Sequence, residues 1–368
     1  FNEYFLDIEF RLKKKKGVLP KGYLIAWEQL PLINFNTMKL EFDPNILQDN
    51  YPKLNDVTET NNEIVITGKD FEIIFSKQTA TLDSWTFQGK NILLRGPKPN
   101  FWRTPTDNDF GNNMPKRMAV WKHATDEAQV NEIKVDNYDT SVGIEVFYNF
   151  PSVESMGSIL YVIYGDGRIL VYNKFEIEKG TLPNMPKVGI SMQIPKEFDA
   201  MTWFGRGPHE NYLDRKSSAK VDIYSGKVSD QIHPYIRPQE SGNKTDVRWA
   251  TFRNVDGDGL LVRGLLSLNA SHYLQEDYDH GFGDMKSGAT GNIKTTKQQR
   301  HSIDMVERDL INLDIDLIQM GLGGEDSWWA QPLEKYQIKP KNYDYSFTLM
   351  PIKSDENPVE LNKNAFLK

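Results

Sequence analysis

Three stretches carry side chains able to bind or act on a polar ligand. In "FWRTPTDNDFGNN" (residues 101–113), Trp102 and Arg103 precede Asp107, Asn108 and Asp109, with Gly111 as a hinge. Arginine and carboxylate groups grip hydroxyls through charge-assisted hydrogen bonds, so this loop could face a ligand or another domain. The same Asx-rich sequence could simply cap a helix starting near Pro115 by accepting from its free backbone N–H groups. "WFGRGPHENYLDR" (203–215) and "PYIRPQESGNKTDVRW" (234–249) gather Arg206, His209, Glu210, Asn211, Tyr212, Arg237, Gln239, Glu240, Asn243, Asp246, Arg248 and Trp249. Prolines and glycines fix the backbone between polar and aromatic groups, as a sugar-lined groove requires. A salt-bridge network bracing two long loops needs the same residues, and both readings stand. In "GLGGEDSWWAQPL" (321–333), the glycines permit a sharp fold after a strand, and Glu325 and Asp326 can anchor a turn through backbone N–H groups. A tryptophan at such a tip either plugs its own core or offers a platform to a ligand.

Familiar enzyme signatures are absent. No phosphate loop and no G-x-G-x-x-G opens a helix, and "HENYL" at His209 lacks the second histidine of a zinc peptidase. "DGDG" at Asp256 lacks the distal glutamate of a calcium loop and reads as a turn. With no cysteines there are no disulfides, thiolate metal sites or cysteine nucleophiles. That leaves the compartment open, cytoplasmic or periplasmic.

The elements that must position these loops are strands. Ile311, Leu313, Ile315 and Leu317 alternate with Asn312, Asp314 and Asp316, predicting one apolar and one polar face. Tyr343, Tyr345, Phe347 and Leu349 repeat the pattern. "SILYVIYGDGRILVYNKFEIE" predicts a hairpin turning at Gly165-Asp166-Gly167, and "FRNVDGDGLLVRGLLSL" another at 256–259. One helix is predicted in "NMPKRMAVWKHATDE", where Met114, Met118, Trp121 and Ala124 share a face and Pro115 suits the first turn. Many short strands with frequent turns define an all-β antiparallel sandwich or barrel.

The 368 residues, 39% of them hydrophobic, can build two domains or one large β unit with an appendage. No apolar run reaches the ~20 residues of a membrane-spanning helix. The net charge of −7 lacks the basic footprint of a nucleic-acid binder. The single basic run, Lys13 to Lys16 ahead of Gly17, reads as a solvated hairpin tip. The start, "FNEYFLDIEF", has neither an initiator methionine nor a signal peptide and begins in mid-strand, so a piece of a longer polypeptide is expected. Residues 33–60 are rich in Asn, Asp and Pro with weak periodicity, as a linker would be, and 353–368 read as a loose polar tail.

Five motifs, in order, resemble the C-terminal portion of the large bacterial β-galactosidases of glycoside hydrolase family two. They are "AWEQLPL" (26–32), "FWRTPTDNDFGNN", "GRGPHENYLDR", "PYIRPQESGNKTDVRW" and "QMGLGGEDSWW" (319–329), and the likeness covers residues 23–352. The resemblance implies that residues 1–36 close an immunoglobulin-like domain, that 37–60 link, and that 61–352 form a large antiparallel, galactose-mutarotase-like supersandwich. It also implies that the two catalytic glutamates of a retaining mechanism, and the magnesium and sodium ligands, lie on other domains. Here Asn-Glu occurs at Asn2, Asn62 and Asn131, never after the glycine that marks the family's acid/base. No catalytic residue, metal ligand or cofactor is therefore expected within this chain. The resemblance assigns one substrate contact residue by residue, Trp328, which would reach into the barrel mouth. Expected partners are a β-galactoside, the remaining domains and, in the complete enzyme, further copies in a homo-oligomer. Leu213, Ser241 and Trp329 depart from the family's usual proline, asparagine and glycine; the first two should loosen their loops, and Trp329 could share the platform. Two rivals remain: a free-standing carbohydrate-binding module using a cleft between the Arg206 and Arg237 loops, and an epimerase pairing His209 with Glu210 or Asp246.

Overall fold

The computed structural model describes residues 3–32, 51–178, 181–278, 301–326 and 329–363. The chain divides into two compact units, Phe1–Glu41 with Asn357–Lys368, and Phe42–Glu356. In the first, β1 (Phe5–Arg11) pairs antiparallel with β2 (Leu24–Pro31), and the lysine run sits in the connection, where Lys16 bridges Leu19.

The second unit opens with a five-stranded antiparallel meander of β3 (Asp56–Glu59), β4 (Glu63–Thr67), β5 (Phe71–Ser76), β6 (Thr81–Phe87) and β7 (Lys90–Asn91). Alternation buries Ile64, Ile66, Phe71, Ile73 and Phe75 on one side. The sheet begins inside the stretch expected to link, because β3 is an edge strand: its place comes from main-chain pairing of Val57 with Ile66, and edge strands tolerate polar sequence.

Then follow β8 (Arg95–Asn100), three short helices, α1 (Asp107–Gly111), α2 (Met114–Arg117) and α3 (Ala119–Asp126), and strands β9 (Gln129–Asn137), β10 (Ser141–Phe150), β11 (Ser155–Tyr164), β12 (Ile169–Ile177), β13 (Lys187–Ile194), β14 (Ala200–Gly207), β15 (Lys220–Lys227), β16 (Lys244–Arg253) and β17 (Gly259–Ser271). After α4 (Gln275–Tyr278) come β18 (Ile311–Gln319) and β19 (Tyr343–Ile352), and α5 (Pro358–Lys363) belongs to the first unit, inside the expected tail. The predicted helix is thus broken. Met118 leaves helical geometry at φ −112°, ψ 10°, yet Met114, Met118, Trp121 and Ala124 are buried as their spacing predicts.

Among the described residues, twelve antiparallel strands form one branched sheet, and β17 is the branch point. Its first half, from Gly259 to Arg263, pairs with β19; its second half, from Ser267 to Ser271, pairs with β18. One branch continues through β12, β11, β10 and β9, the other through β13 to β8. A long strand that serves two layers is how a twisted sheet folds over itself. Phe101, Trp121, Phe150 and Phe175 form a buried aromatic cluster, with Phe101 and Phe175 centroids 4.7 Å apart.

The two-faced expectation for β18 meets a difference. Asn312, Asp314 and Asp316 are as buried as the apolar residues between them. The polar face is turned inward, where Lys187 Nζ lies 3.1 Å from Asp314 and 3.4 Å from Asp316. Alternation reports that two faces differ in chemistry; it does not say that the polar one meets water.

Candidate functional site

The loop that follows β18 is rooted in the segment 101–113. Arg103 is fully buried and donates from Nη2 to both oxygens of buried Asp109 at 2.9 Å. Its Nη1 donates to the Met320 carbonyl at 2.7 Å, and Nη2 also reaches the Gly321 carbonyl at 3.2 Å. Asp109 in turn accepts from the Thr106 N–H, and the Thr106 hydroxyl accepts from the Asp109 N–H, a capping box that opens α1. The capping expectation is met one helix early: Thr106 and Asp109 cap α1, whereas the helix beginning at Met114 has no side-chain cap, and Arg103, fixed by Asp109, holds a neighbouring loop. Trp102 is buried beneath it.

The remainder of that loop is held from both sides. Asn108 donates to the Leu322 carbonyl and Asn112 to the Ala330 carbonyl. Asp214 accepts from Leu322 N–H at 3.0 Å and Gly323 N–H at 2.9 Å. Gly323 and Gly324 have φ of +72° and +125°, which only glycine adopts without strain. Asp326 then accepts from the Trp329 and Ala330 N–H groups, the turn anchor its position predicts. Trp329 is 78% exposed, while Trp328 lies outside the described residues.

The two long loops brace one another. Glu210 accepts from Arg215 at 2.6 Å, from the Tyr235 hydroxyl, and from the Gly242 N–H at 2.8 Å. Burial raises its carboxyl, but these bonds outweigh burial and hold it below the usual range. The Asn211 side chain accepts from the Thr245 N–H, its N–H donates to the Asn243 carbonyl, and its carbonyl accepts from the Asn243 side-chain amide. Asp246, in the left-handed region at φ +54°, is paired with Arg206 and Lys216; burial raises its carboxyl and the two cations bring it below normal. Arg248 donates to the Asp246 carbonyl, and Tyr212 donates to Glu240 at 3.3 Å. Arg237 stacks on Phe110 and stands 3.6 Å from Asp107, whose N–H and carboxylate both bond Gln239. The structure thus brings Asp107, Arg237 and Gln239 together, and separately the Glu210 and Asp246 clusters.

His209 is apart from the deeper network, with Nε2 3.0 Å from the Ser218 hydroxyl. Burial and the Arg215 and Lys244 charges lower its pKa. An epimerase pair would need an available carboxylate beside it, and those of Glu210 and Asp246 are engaged by cations.

Several residues at the centre were not singled out from the sequence. Asp214 and Tyr235 stand inside quoted motifs, and Lys187 and Lys216 gave no local signal. Lys187, Asp314, Asp316 and Glu240 form a buried charge group: burial raises the Asp316 carboxyl well above its usual value, and burial raises Glu240 to about 7 despite Lys187. Beside Glu240, a polar cavity of about 20 Å³ is lined by Thr104, Ser241, Asn269, Asn312 and Asp314. That holds about one water and not the hundreds of Å³ of a sugar-sized pocket. Among the described residues, no group of three or more His, Asp or Glu side chains could hold a metal ion.

Fold and site define an all-β, antiparallel domain whose polar side chains sit on mutually braced loops. The chain belongs to the beta galactosidase small chain family, which matches residues 67–349. A beta-galactosidase of Priestia megaterium is 33% identical over 357 residues, 95% of this chain and 32% of that protein. One from Psychromonas ingrahamii is 28% identical over 364 residues, 94% of this chain and 32% of that protein. The chain therefore spans about a third of the length of the curated relatives it matches. A galactose 1-epimerase structure from Lactobacillus acidophilus covers 82% of this chain and 99% of its own, at 10% identity and a TM-score of 0.45.

Proposed function

We propose that this chain is part of a retaining β-galactosidase, where it closes one side of the active-site cleft, presents Trp328 to the substrate and supports assembly. The catalytic glutamates, and the magnesium and sodium sites, belong to other domains of that enzyme. The observation that carries this reading is the rooting of the loop. Its backbone from Met320 to Gly323 is held by buried Arg103 on one side and Asp214 on the other, far more restraint than a connection needs. Loops that carry binding residues are positioned by rigid scaffolds in this way.

The test is Trp328→Ala in the complete enzyme. An aromatic platform contributes about 1–2 kcal/mol to binding, so KM should rise roughly tenfold with the melting temperature unchanged. An unchanged KM would sink the platform role. The rival, a free-standing carbohydrate-binding module, is disfavoured by the loops themselves. The polar groups expected to line its groove are committed to one another.

A further inference from the structure

We propose that Asp214 is the positioning residue that aims the loop bearing Trp328, an inference that rests on the platform role proposed above. One carboxylate captures two consecutive amides: Oδ1 accepts from Leu322 N–H and Oδ2 from Gly323 N–H, at 3.0 and 2.9 Å. Holding two successive N–H groups fixes the orientation of both peptide planes, which a single bond would leave free to rotate about one axis. Along the same backbone, Arg103 holds the carbonyls of Met320 and Gly321, and Asn108 that of Leu322. The loop leaves this clamp directly into Gly323 and Gly324, whose left-handed torsions set its direction.

The adjoining glycine is fitted to this carboxylate. Gly321 is not among the residues with positive φ, so backbone conformation does not demand glycine there. Space does: a Cβ at Gly321 would stand 2.5 Å from Asp214 Oδ2 and 3.0 Å from Tyr336 Cβ. The first glycine thus admits Asp214, and the next two turn the chain.

Asp214 is itself held firmly. It lies in a tight turn closed by reciprocal backbone bonds between Tyr212 and Arg215. Arg215 is tied to Glu210, and Glu210 to the Gly242 N–H. Asp214 thus ties the turn of the first long loop, braced by the second through Glu210, directly to the backbone of Leu322 and Gly323.

The experiment compares Asp214→Asn, Trp328→Ala and the double variant in the complete β-galactosidase. Asparagine keeps the shape but turns one acceptor into a donor that faces an N–H. Asp214→Asn should raise KM about five- to tenfold with kcat within about twofold, the mark of lost binding and intact chemistry. If Asp214 acts through Trp328, the double variant should match Trp328→Ala alone; additive KM effects would overturn the proposal. A KM raised by Trp328→Ala and unmoved by Asp214→Asn would overturn it while leaving the platform role intact. If Trp328→Ala leaves KM unchanged, the platform role falls, and with it this aim. Loss of kcat and melting temperature at constant KM would assign Asp214 to general stability and overturn the positioning role. Should Asp214→Asn fail to fold, Gly321→Ala displaces the same carboxylate and must give the same KM rise; an unchanged KM there would overturn the proposal.

Discussion

Glu240 shows how far burial can move a single group. Its carboxyl, fully desolvated beside Asp314 and only partly relieved by Lys187, is pushed up to about 7 from the ordinary 4.5. The folded state therefore holds a proton that the unfolded chain releases at lower pH. Its contribution to stability is complete below about 4.5 and is lost as pH rises through 7. Glu240→Gln keeps an acceptor for Tyr212 and Asn269 without the charge. The wild-type chain should thus lose stability between about pH 4.5 and 7, and the variant should lose less. Equal losses of unfolding free energy in wild type and variant across this pH range, read from urea midpoints, would show that Glu240 is not the titrating group. The same neighbourhood explains why Asp314 and Asp316 misled the sequence reading. A charged face costs too much to bury unless a counter-charge is buried with it, and Lys187 comes from a strand more than a hundred residues earlier.

At the scale of elements, the β13–β18 ladder carries that charge group and also leads to the functional loop. Gly189 pairs with Asp316 in this ladder, and a Cβ there would fall 1.7 Å from Asp316 Oδ1. The collision is with a side chain already hemmed in by Lys187, so it has little room to yield. Gly189→Ala should cost about 1–3 kcal/mol, the usual range for overpacking a filled interior. Urea unfolding reads this directly, and a change below about 0.5 kcal/mol, the size of a neutral surface substitution, would mean that the strand shifts to accommodate the methyl. The elements most visible in the sequence were hairpins, because Gly-Asp-Gly and Asp-Gly turns are local chemistry. β14 and β15 were not singled out. Glycines at 205, 207 and 226 dilute their alternation, and their register comes from pairing with β16 and with one another.

For the whole molecule, the prediction concerns what this chain does by itself. Incubated at high concentration with a chromogenic β-galactoside, it should show no turnover above background, and the remaining domains should restore activity. Turnover abolished by replacing one carboxylate of this chain would reveal a second active site and overturn the division of labour proposed here. The two compact units are each built by antiparallel pairing. The Asn-, Asp- and Pro-rich stretch from residue 33, expected to link, overlaps the division between the two units.

By itself the sequence determined the all-β class, most hairpins, the apolar face of the helical segment and the family, because period-two alternation, turn residues and ordered motifs are properties of neighbours along the chain. It also marked the loop at 321–333 as unusual. Only the tertiary structure decided that Arg103 and Asp109 form a buried clamp, that the Glu210 and Asp246 loops spend their polar groups on each other, and that Asp214 holds two amides of the loop. Arg103 and Asp109 are only six residues apart, but their burial, the reach of Arg103 to Met320, the Arg206–Asp246 pair and the hold of Asp214 on Leu322 all depend on segments far apart in sequence and on where water is excluded. Those contacts and the charge neutralisation they allow are long-range, so residue types along the chain cannot specify them one stretch at a time.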